Sequence, residues 1–463
     1  MDDRSLQLYR KALRDGQEKV YNVRVMVVGQ FGVGKTTLTK RLLGKQVDIS
    51  EKKSTEGIDV YKHCCKISLE TGEWIVQHED FDQLSRLQRL MKLLSGADPK
   101  SDISHEQEGH RKVTYERQST PEADNTHLSE AASSSRSDQE DQLTYSHAGK
   151  LSAIMDARHG KAHSVSETST VTGTKSAAEA ITKEKKDAVI ELLNLINENA
   201  EKLDNDLVKY AALSIWDFAG QYAFYTTHQT FLSRRALYLL VVDVNRQITD
   251  LVEDDKCFLD MEGIKLCKVH DLVEIWLNSI HTCTPSPEAS IPNVILVGTH
   301  VDKLSEKSRK EVIDKYFREL RYILKDKPTI CNLMDDIAID NTQSDPMLDI
   351  LKRRIYELAS QQPHWGEEKP ARWLPLEQAI ITLKASGAKV VDRSLIEEIN
   401  VSGSVMIDNR DELDLFLRFH HEIGTILYFS VEILREKIVL DPQWLIDALK
   451  SLITAETFIK KYP

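Results

Sequence analysis

Eight residues, Gly29-Gln-Phe-Gly-Val-Gly34-Lys35-Thr36, constrain this chain more than any other stretch. They follow the β-branched run Val23–Val28, which predicts a buried strand. They precede Thr37–Leu43, where Leu38 and Leu42 share one helical face. Strand, G-x-x-x-x-G-K-[ST] and helix together spell a phosphate-binding loop. Gly29, Gly32 and Gly34 lack a Cβ, so the backbone through Gln30, Phe31 and Val33 can close around phosphate with its N–H groups inward. The helix that opens at Lys35, Thr36 and Thr37 adds a partial positive charge at its N-terminus. Lys35 is placed to set a full charge on the β- and γ-phosphates, and the Thr36 hydroxyl is left for Mg²⁺.

Three further stretches follow in the order a nucleotide site needs. Thr55, in Ser54-Thr-Glu-Gly57, stands on the loop after that first helix, where a switch places its second Mg²⁺ ligand. Leu207–Ile215 reads as a strand that ends in Trp216-Asp217-Phe-Ala-Gly220-Gln221. There Asp217 is expected to hold Mg²⁺, and the Gly220 N–H to reach a γ-phosphate only where one exists. Trp216 and Phe218 read as packing residues. Asn293–Gly298 predicts a buried strand leading into Thr299-His300-Val301-Asp302. Asp302 can accept from both N1–H and the 2-amino group of guanine; adenine offers neither, so a buried Asp302 would stay unpaired with ATP. A site built for such a group can reject its absence by roughly 10⁴, which selects GTP over ATP. The competing role for Asp302 is the N-cap of a helix over Lys303–Leu324.

Between these motifs the chain changes character. Residues 1–20 read as a charged, solvated lead-in. Strand-like segments at Val60–Leu69 and Trp74–Val76 precede an amphipathic helix marked by Leu84, Leu87, Met91 and Leu94. From 97 to 183 Ser, Thr, Glu, Asp, His and Gln dominate. Such a stretch buries too little apolar surface to offset an ordering cost of about 1–2 kcal/mol per residue, so it is expected to be a disordered insertion. A second amphipathic helix near 184–204 closes it. Ala236–Asp243 is a nearly continuous apolar run, suited to a parallel strand buried on both faces. Ile337–Asn341 is a candidate last strand with a final base-contacting loop, and Met347–Leu358 a closing helix.

Composition removes several classes. A net charge of -12 argues against a general nucleic-acid binder. No run of 18 apolar residues predicts a transmembrane helix, and the start of the chain lacks a signal-peptide pattern. The six Cys residues form no C-x-x-C, and a reducing, cytoplasmic setting is expected. Cys267, His270, His281 and Cys283 could bind Zn²⁺ only if their ends met. The intervening Leu272, Val273, Ile275, Trp276 and Ile280 predict a helix that holds those ends roughly 15 Å apart.

Taken together, G-x-x-x-x-G-K-T, T-x-G, D-x-x-G-Q and T-H-x-D resemble a Ras-like GTPase, and more narrowly the Roc domain of the Roco family. W-D-F-A-G-Q at 216–221, R-R-A-L-Y-L at 234–239, W-L-N-S-I at 276–280 and T-H-V-D at 299–302 carry the narrower likeness. Beyond 365, Arg372–Glu377, His420–Tyr428 and Leu440–Ile446 resemble the COR domain that follows Roc. The resemblance implies an α/β Ras-like domain over 21–360, with a mostly parallel six-stranded sheet and flanking helices. A partial α+β COR domain is expected over 365–463, cut short at Pro463. It also implies that Gln221 orients an attacking water, that Arg235 lies near the Roc–COR contact, and that COR pairs two chains as a homodimer. The long insertion departs from the family's usual hairpin connection. No protein-kinase pattern is present.

The expected activity is Mg²⁺-dependent hydrolysis of GTP to GDP, slow, with conformational output to the COR part and a role in intracellular signalling. Lys35 and Gln221 are the expected catalytic residues. A nucleotide-bound scaffold with negligible hydrolysis, recruiting protein partners through the insertion, is the alternative. An ATP-driven assembly switch is disfavoured by Thr299–Asp302. Asp441 and Pro442 predict the start of a helix whose apolar side is Trp444, Leu445, Ala448, Leu449 and Leu452.

Overall fold

The computed structural model describes residues 3–14, 16–47, 55, 57–76, 210–221, 224–252, 268–282, 291–402, 407 and 409–461. The expected insertion over 97–183, the helices marked by Leu84–Leu94 and near 184–204, and Cys267 and Cys283 lie outside these residues.

In chain order the first elements are α1 (Asp3–Leu13), β1 (Gln17–Val20), β2 (Asn22–Gly29), α2 (Lys35–Leu42), β3 (Ile58–Ser68), β4 (Trp74–Val76), β5 (Tyr210–Phe218) and β6 (Ala236–Asp243). Then come α3 (Val269–Thr282), β7 (Val294–Thr299), α4 (Arg309–Leu324), β8 (Leu333–Ala338) and α5 (Met347–Ser360). The C-terminal part holds β9 (Glu367–Pro370), α6 (Leu374–Ala385), β10 (Val390–Asp392), α7 (Arg393–Ser402), α8 (Arg410–Glu422), β11 (Leu427–Tyr428), β12 (Lys437–Val439) and α9 (Pro442–Lys461).

The central sheet has the order β4-β3-β5-β2-β6-β7-β8. Its strands are parallel from β5 to β8, and β3 runs antiparallel to both β4 and β5. It is mostly parallel, as expected, with seven strands because the short β4 joins the edge. Alternation along β2 explains its two-sided burial: Met26 and Val28 enter the core under α3 and α4, while Val25 and Val27 enter the core under α2 and α5. All eight residues of β6 are buried, the mark of a strand covered on both faces. β2 lies between β5 and β6, so its successors depart in opposite directions. The crevice beyond its carboxyl end is where such sheets take ligands.

The first residues are not a solvated lead-in. Tyr9 and Ala12 of α1 are buried, and Tyr9 packs against Trp373 with ring centroids 5.9 Å apart. β1 pairs antiparallel with β9. The polar face of α1 disguised it, since only a narrow stripe meets the C-terminal core. That core also holds Phe416, Phe419, Ile438 and Leu440, beside the small sheet β10-β12-β11.

Two boundaries and one helix face also move. The helix expected from Lys303 begins at Arg309, because Val301–Lys303 forms a separate 3-10 turn. Asp302 therefore caps no long helix. The last strand starts at Leu333 and ends before Ile339, despite its polar Asp335 and Asp336, which pair with Arg354 and Arg321. On α9, among the described side chains, Pro442 and Ile446 are buried, the latter at 3% exposure, and Leu445 and Leu449 pack partly buried against the core, while Trp444 and Leu452 stand at 41% and 69%. Docking against β3, not the widest apolar stripe, sets which side of α9 faces in.

Basic side chains of the sheet domain close the seam with the C-terminal part. Arg235 ion-pairs with Glu367 and Glu422 at 2.5 and 2.6 Å. Arg24 Nη2 donates to the Glu422 carbonyl at 2.9 Å, and Lys62 Nζ to the Gly424 carbonyl at 2.6 Å. These carbonyls end α8, where the helix dipole favours cations. Both cations also lie over Trp216.

Candidate nucleotide site

The turn from β2 into α2 depends on glycine. Gly29, Gly32 and Gly34 have φ of 139°, 76° and 83°, a region that side-chain-bearing residues rarely enter. A Cβ on Gly29 would also run into the Val241 backbone of β6. The loop is thereby held against the sheet, with the N-terminus of α2 behind it.

Lys35 is 6% exposed, and its Nζ donates to the Gln30 carbonyl at 2.6 Å. Burial pulls its pKa down to about 8, with Asp217 acting in the opposite direction. Asp217, at the end of β5, is fully buried. Burial raises its pKa to about 6, against the lowering effects of the Thr36 hydrogen bond and Lys35.

Three oxygen-bearing side chains converge here from separate stretches. Thr36 Oγ1 donates to Asp217 Oδ2 at 2.6 Å and lies 2.5 Å from Thr55 Oγ1. Thr55 Oγ1 is 3.4 Å from Asp217 Oδ2. Among the described residues, Asp217 Oδ1 has no hydrogen-bond partner. Hard oxygen donors with a buried acceptor left over suit Mg²⁺, which keeps waters and takes few protein ligands.

Other expected residues occupy distinct stations. Gly220 lies so close to Gln30 and Phe31 that a Cβ would overlap their backbone. Gln221 follows it at 2% exposure. The Gln30 side chain turns away and donates to Val269 O of α3 at 3.1 Å. Phe31 is exposed, Val33 is buried, and Thr37 stands half-buried on α2. Thr299 Oγ1 bridges the carbonyls of Val33 and Val242 at 2.6 and 3.0 Å, bracing the loop against β6. His300 is the one non-glycine described with φ in the left-handed region, at 60°. Its Nε2 lies 3.1 Å from Gly32 O. Asp302, expected to be buried, is exposed on the turn beyond it, because Val301–Lys303 forms a surface 3-10 turn in which only Val301 faces in.

Two residues were given no individual role by the motifs, though Asn341 ends the stretch expected to contact the base. Asn341 is 7% exposed, and among the described residues neither end of its amide has a partner. Its Nδ2 sits 3.3 Å from where a Gly34 Cβ would be. Its place in the loop after the last strand was the only signal. Asp340 beside it instead ties up its own loop, accepting from Thr342 and Gln343. His228 is buried among Phe218, Phe224, Tyr225 and Trp276, and burial drives its pKa down to about 3, leaving it neutral. The candidate zinc ligands His270 and His281 lie at opposite ends of α3, and His281 Nδ1 is 3.0 Å from Asn332 Oδ1. Among the described residues, no group of three metal-ligating side chains of the His, Cys, Asp and Glu kind forms.

Residues 168–302 match the family model of Roc, described as the Ras of Complex domain of DAPkinase. Residues 370–462 match that of COR-A, the C-terminal of Roc domain. The Roc match begins downstream of Gly29–Thr36, so the phosphate loop stands on its own residues and geometry. The chain is 30% identical over 251 residues to the probable serine/threonine-protein kinase pats1 of Dictyostelium discoideum, covering 53% of this chain and 7% of that protein. It is 30% identical over 262 residues to the probable kinase roco6 of the same organism, 54% of this chain and 10% of that one. Cyclic GMP-binding protein C, also from Dictyostelium discoideum, is 25% identical over 259 residues, 55% of this chain and 9% of that protein. The matched segment thus spans a tenth or less of each of these relatives. Among solved structures, the GDP-bound Methanosarcina barkeri Roco2 RocCORdC aligns over 96% of this chain and 80% of that one, at 16% identity and a TM-score of 0.47.

Proposed function

The chain belongs to the Roco family, with a Roc and a COR-A domain, and from this premise we propose that it binds guanine nucleotide with Mg²⁺ and hydrolyses GTP. The observation that carries the reading is the convergence of Thr36, Thr55 and Asp217 beside the buried Lys35. These residues come from three motifs, the outermost 181 positions apart. Their convergence with one Asp217 oxygen left over supports a shared ligand at that place.

The loop from Gly29 to Gly34 cradles the α- and β-phosphates with backbone N–H groups. Lys35 is already stripped of water and gives up one carbonyl contact to meet a phosphate oxygen. Thr36, Thr55 and Asp217 hold Mg²⁺, which supplies charge neutralisation at the phosphates when bound. Gly220 presents its N–H to the γ-phosphate, and Gln221 orients water. Thr299 and His300 brace the loop from the base side. Asp302 reads the N1–H and 2-amino edge of guanine, and its exposure leaves it open to that base.

Hydrolysis is slow, and its conformational output passes to the COR part. Cytoplasmic signalling, protein partners and pairing of two chains through COR belong to the same reading. Among the described residues, no helix is long and apolar enough to cross a membrane.

Calorimetry with Mg²⁺ tests binding: GTP and GDP should give heat with the native chain, ATP none, and Lys35→Ala should abolish it. No heat for either guanine nucleotide would end the proposal. Single-turnover phosphate release then separates a hydrolytic switch from a scaffold that merely keeps its nucleotide.

A further inference from the structure

The outer edge of β3 is only half covered by a neighbouring strand. β4 pairs with Cys65, Lys66 and Ile67, and among the described residues no strand pairs with Ile58–Lys62 on that side. A side chain from the C-terminal part fills the first positions. Gln443 Oε1 accepts from the Val60 N–H at 3.0 Å, and its Nε2 donates to the Ile58 carbonyl at 3.0 Å. One donor and one acceptor two residues apart are what an added strand would supply. The same Nε2 also donates to Asp447 Oδ1 at 3.0 Å, one turn along α9, which fixes which way the amide points.

This contact lies within three residues of the metal cluster. Gly57, with φ of 81°, packs beneath Ile446 and Lys450 of α9. Its carbonyl accepts from the Ala219 N–H at 2.7 Å, inside the Asp217–Gly220 turn. Two residues earlier, Thr55 meets Thr36 and Asp217. Thr55 is therefore held by the oxygens of Thr36 and Asp217, and Ile58 and Val60, a few residues on, by a COR glutamine.

We infer that Gln443 is a positioning residue for Thr55: by completing the edge of β3 it sets the start of that strand, and through it couples the COR part to Mg²⁺–triphosphate binding. The inference rests on the guanine-nucleotide reading above. Coupling is reciprocal, so nucleotide that engages Thr55 tightens the Gln443 contact in turn.

Gln443→Met keeps the length and helix propensity of the side chain and removes both hydrogen bonds. With Mg²⁺ present, its affinity for a non-hydrolysable GTP analogue should fall about tenfold, the size of one to two hydrogen bonds. Its affinity for GDP in EDTA, which does not need Thr55, should stay within about twofold. Gln443→Glu sets a carboxylate oxygen against Asp447 Oδ1 and the Ile58 carbonyl, so it should lose at least as much affinity for the GTP analogue as Gln443→Met. Equal loss for both nucleotides would assign Gln443 a purely structural role and overturn the inference, as would no loss for either. Hydrogen exchange on the native chain gives a second measurement that needs no variant. The Val60 amide should exchange more slowly with the Mg²⁺–GTP analogue than with GDP, and equal rates would overturn the coupling. If the native chain binds neither nucleotide, the failure belongs to the functional reading instead.

Discussion

The guanidinium of Arg24 lies directly against Gly424, so close that any side chain there would overlap its Nη2 and Cζ atoms. One residue is on β2, the middle strand of the central sheet, and the other in the turn that ends α8. The absence of a Cβ at Gly424, whose φ is 76°, is what lets Arg24 reach the Glu422 carbonyl.

Gly424→Ala should therefore destabilise the protein by about 1–3 kcal/mol, through overlap and backbone strain together. Denaturant unfolding followed by tryptophan fluorescence would measure it. An unchanged midpoint would show that the seam has room to yield.

Arg235→Ala leaves Glu367 and Glu422 without their shared partner. Its side chain is 15% exposed, so the loss is smaller than for a fully buried pair, about 2 kcal/mol. The melting temperature should fall accordingly, while nucleotide affinity, set at the far end of the strands, changes little. A variant as stable as the native chain would mean that Arg234, which already pairs with Glu422 at 3.0 Å, holds the seam without Arg235.

Asp217→Asn separates stability from function. Burial raises the Asp217 carboxyl from an ordinary 3.8 to about 6. A group raised in this way contributes stability that is complete below its unfolded pKa and lost as pH rises through the folded one. The ligand-free variant should thus be more stable than native protein near pH 8, by on the order of 2 kcal/mol, and no more stable near pH 3. Mg²⁺-dependent nucleotide binding should run the other way. It is lost in the variant, and in the native chain it weakens as pH drops through about 6. Thermal melts across pH with and without ligand check both halves.

Gln221→Leu should bind nucleotide as the native chain does and turn it over roughly tenfold more slowly or worse. Leucine suits the buried position, so the fold should survive. Phosphate release at an unchanged rate would show that another group positions the water.

The chemistry was written locally, and so it was legible. Glycine spacing in Gly29–Gly34, the Lys35-Thr36 pair, and the apolar runs of β2, β6 and β7 each report on a few neighbouring residues. Their backbone preferences and burial follow from residue type alone. Asp217 could be singled out because its D-x-x-G, a common pattern in isolation, stands at the end of a strand and in the order that follows a phosphate loop.

Tertiary structure decided what local pattern cannot reach. Thr36, Thr55 and Asp217 became one cluster only when β3 and β5 paired. Asn341 became a neighbour of Gly34 only when the last loop of the sheet folded over the phosphate turn. The polar helix α1 found its place against Trp373, and α9 turned Ile446 rather than Trp444 inward, because long-range docking chooses among helix faces of similar apolar content. Gln443 had no signal at all: its amide gains meaning from the bare edge of a strand more than 380 residues away, and such a match exists only once both surfaces are built.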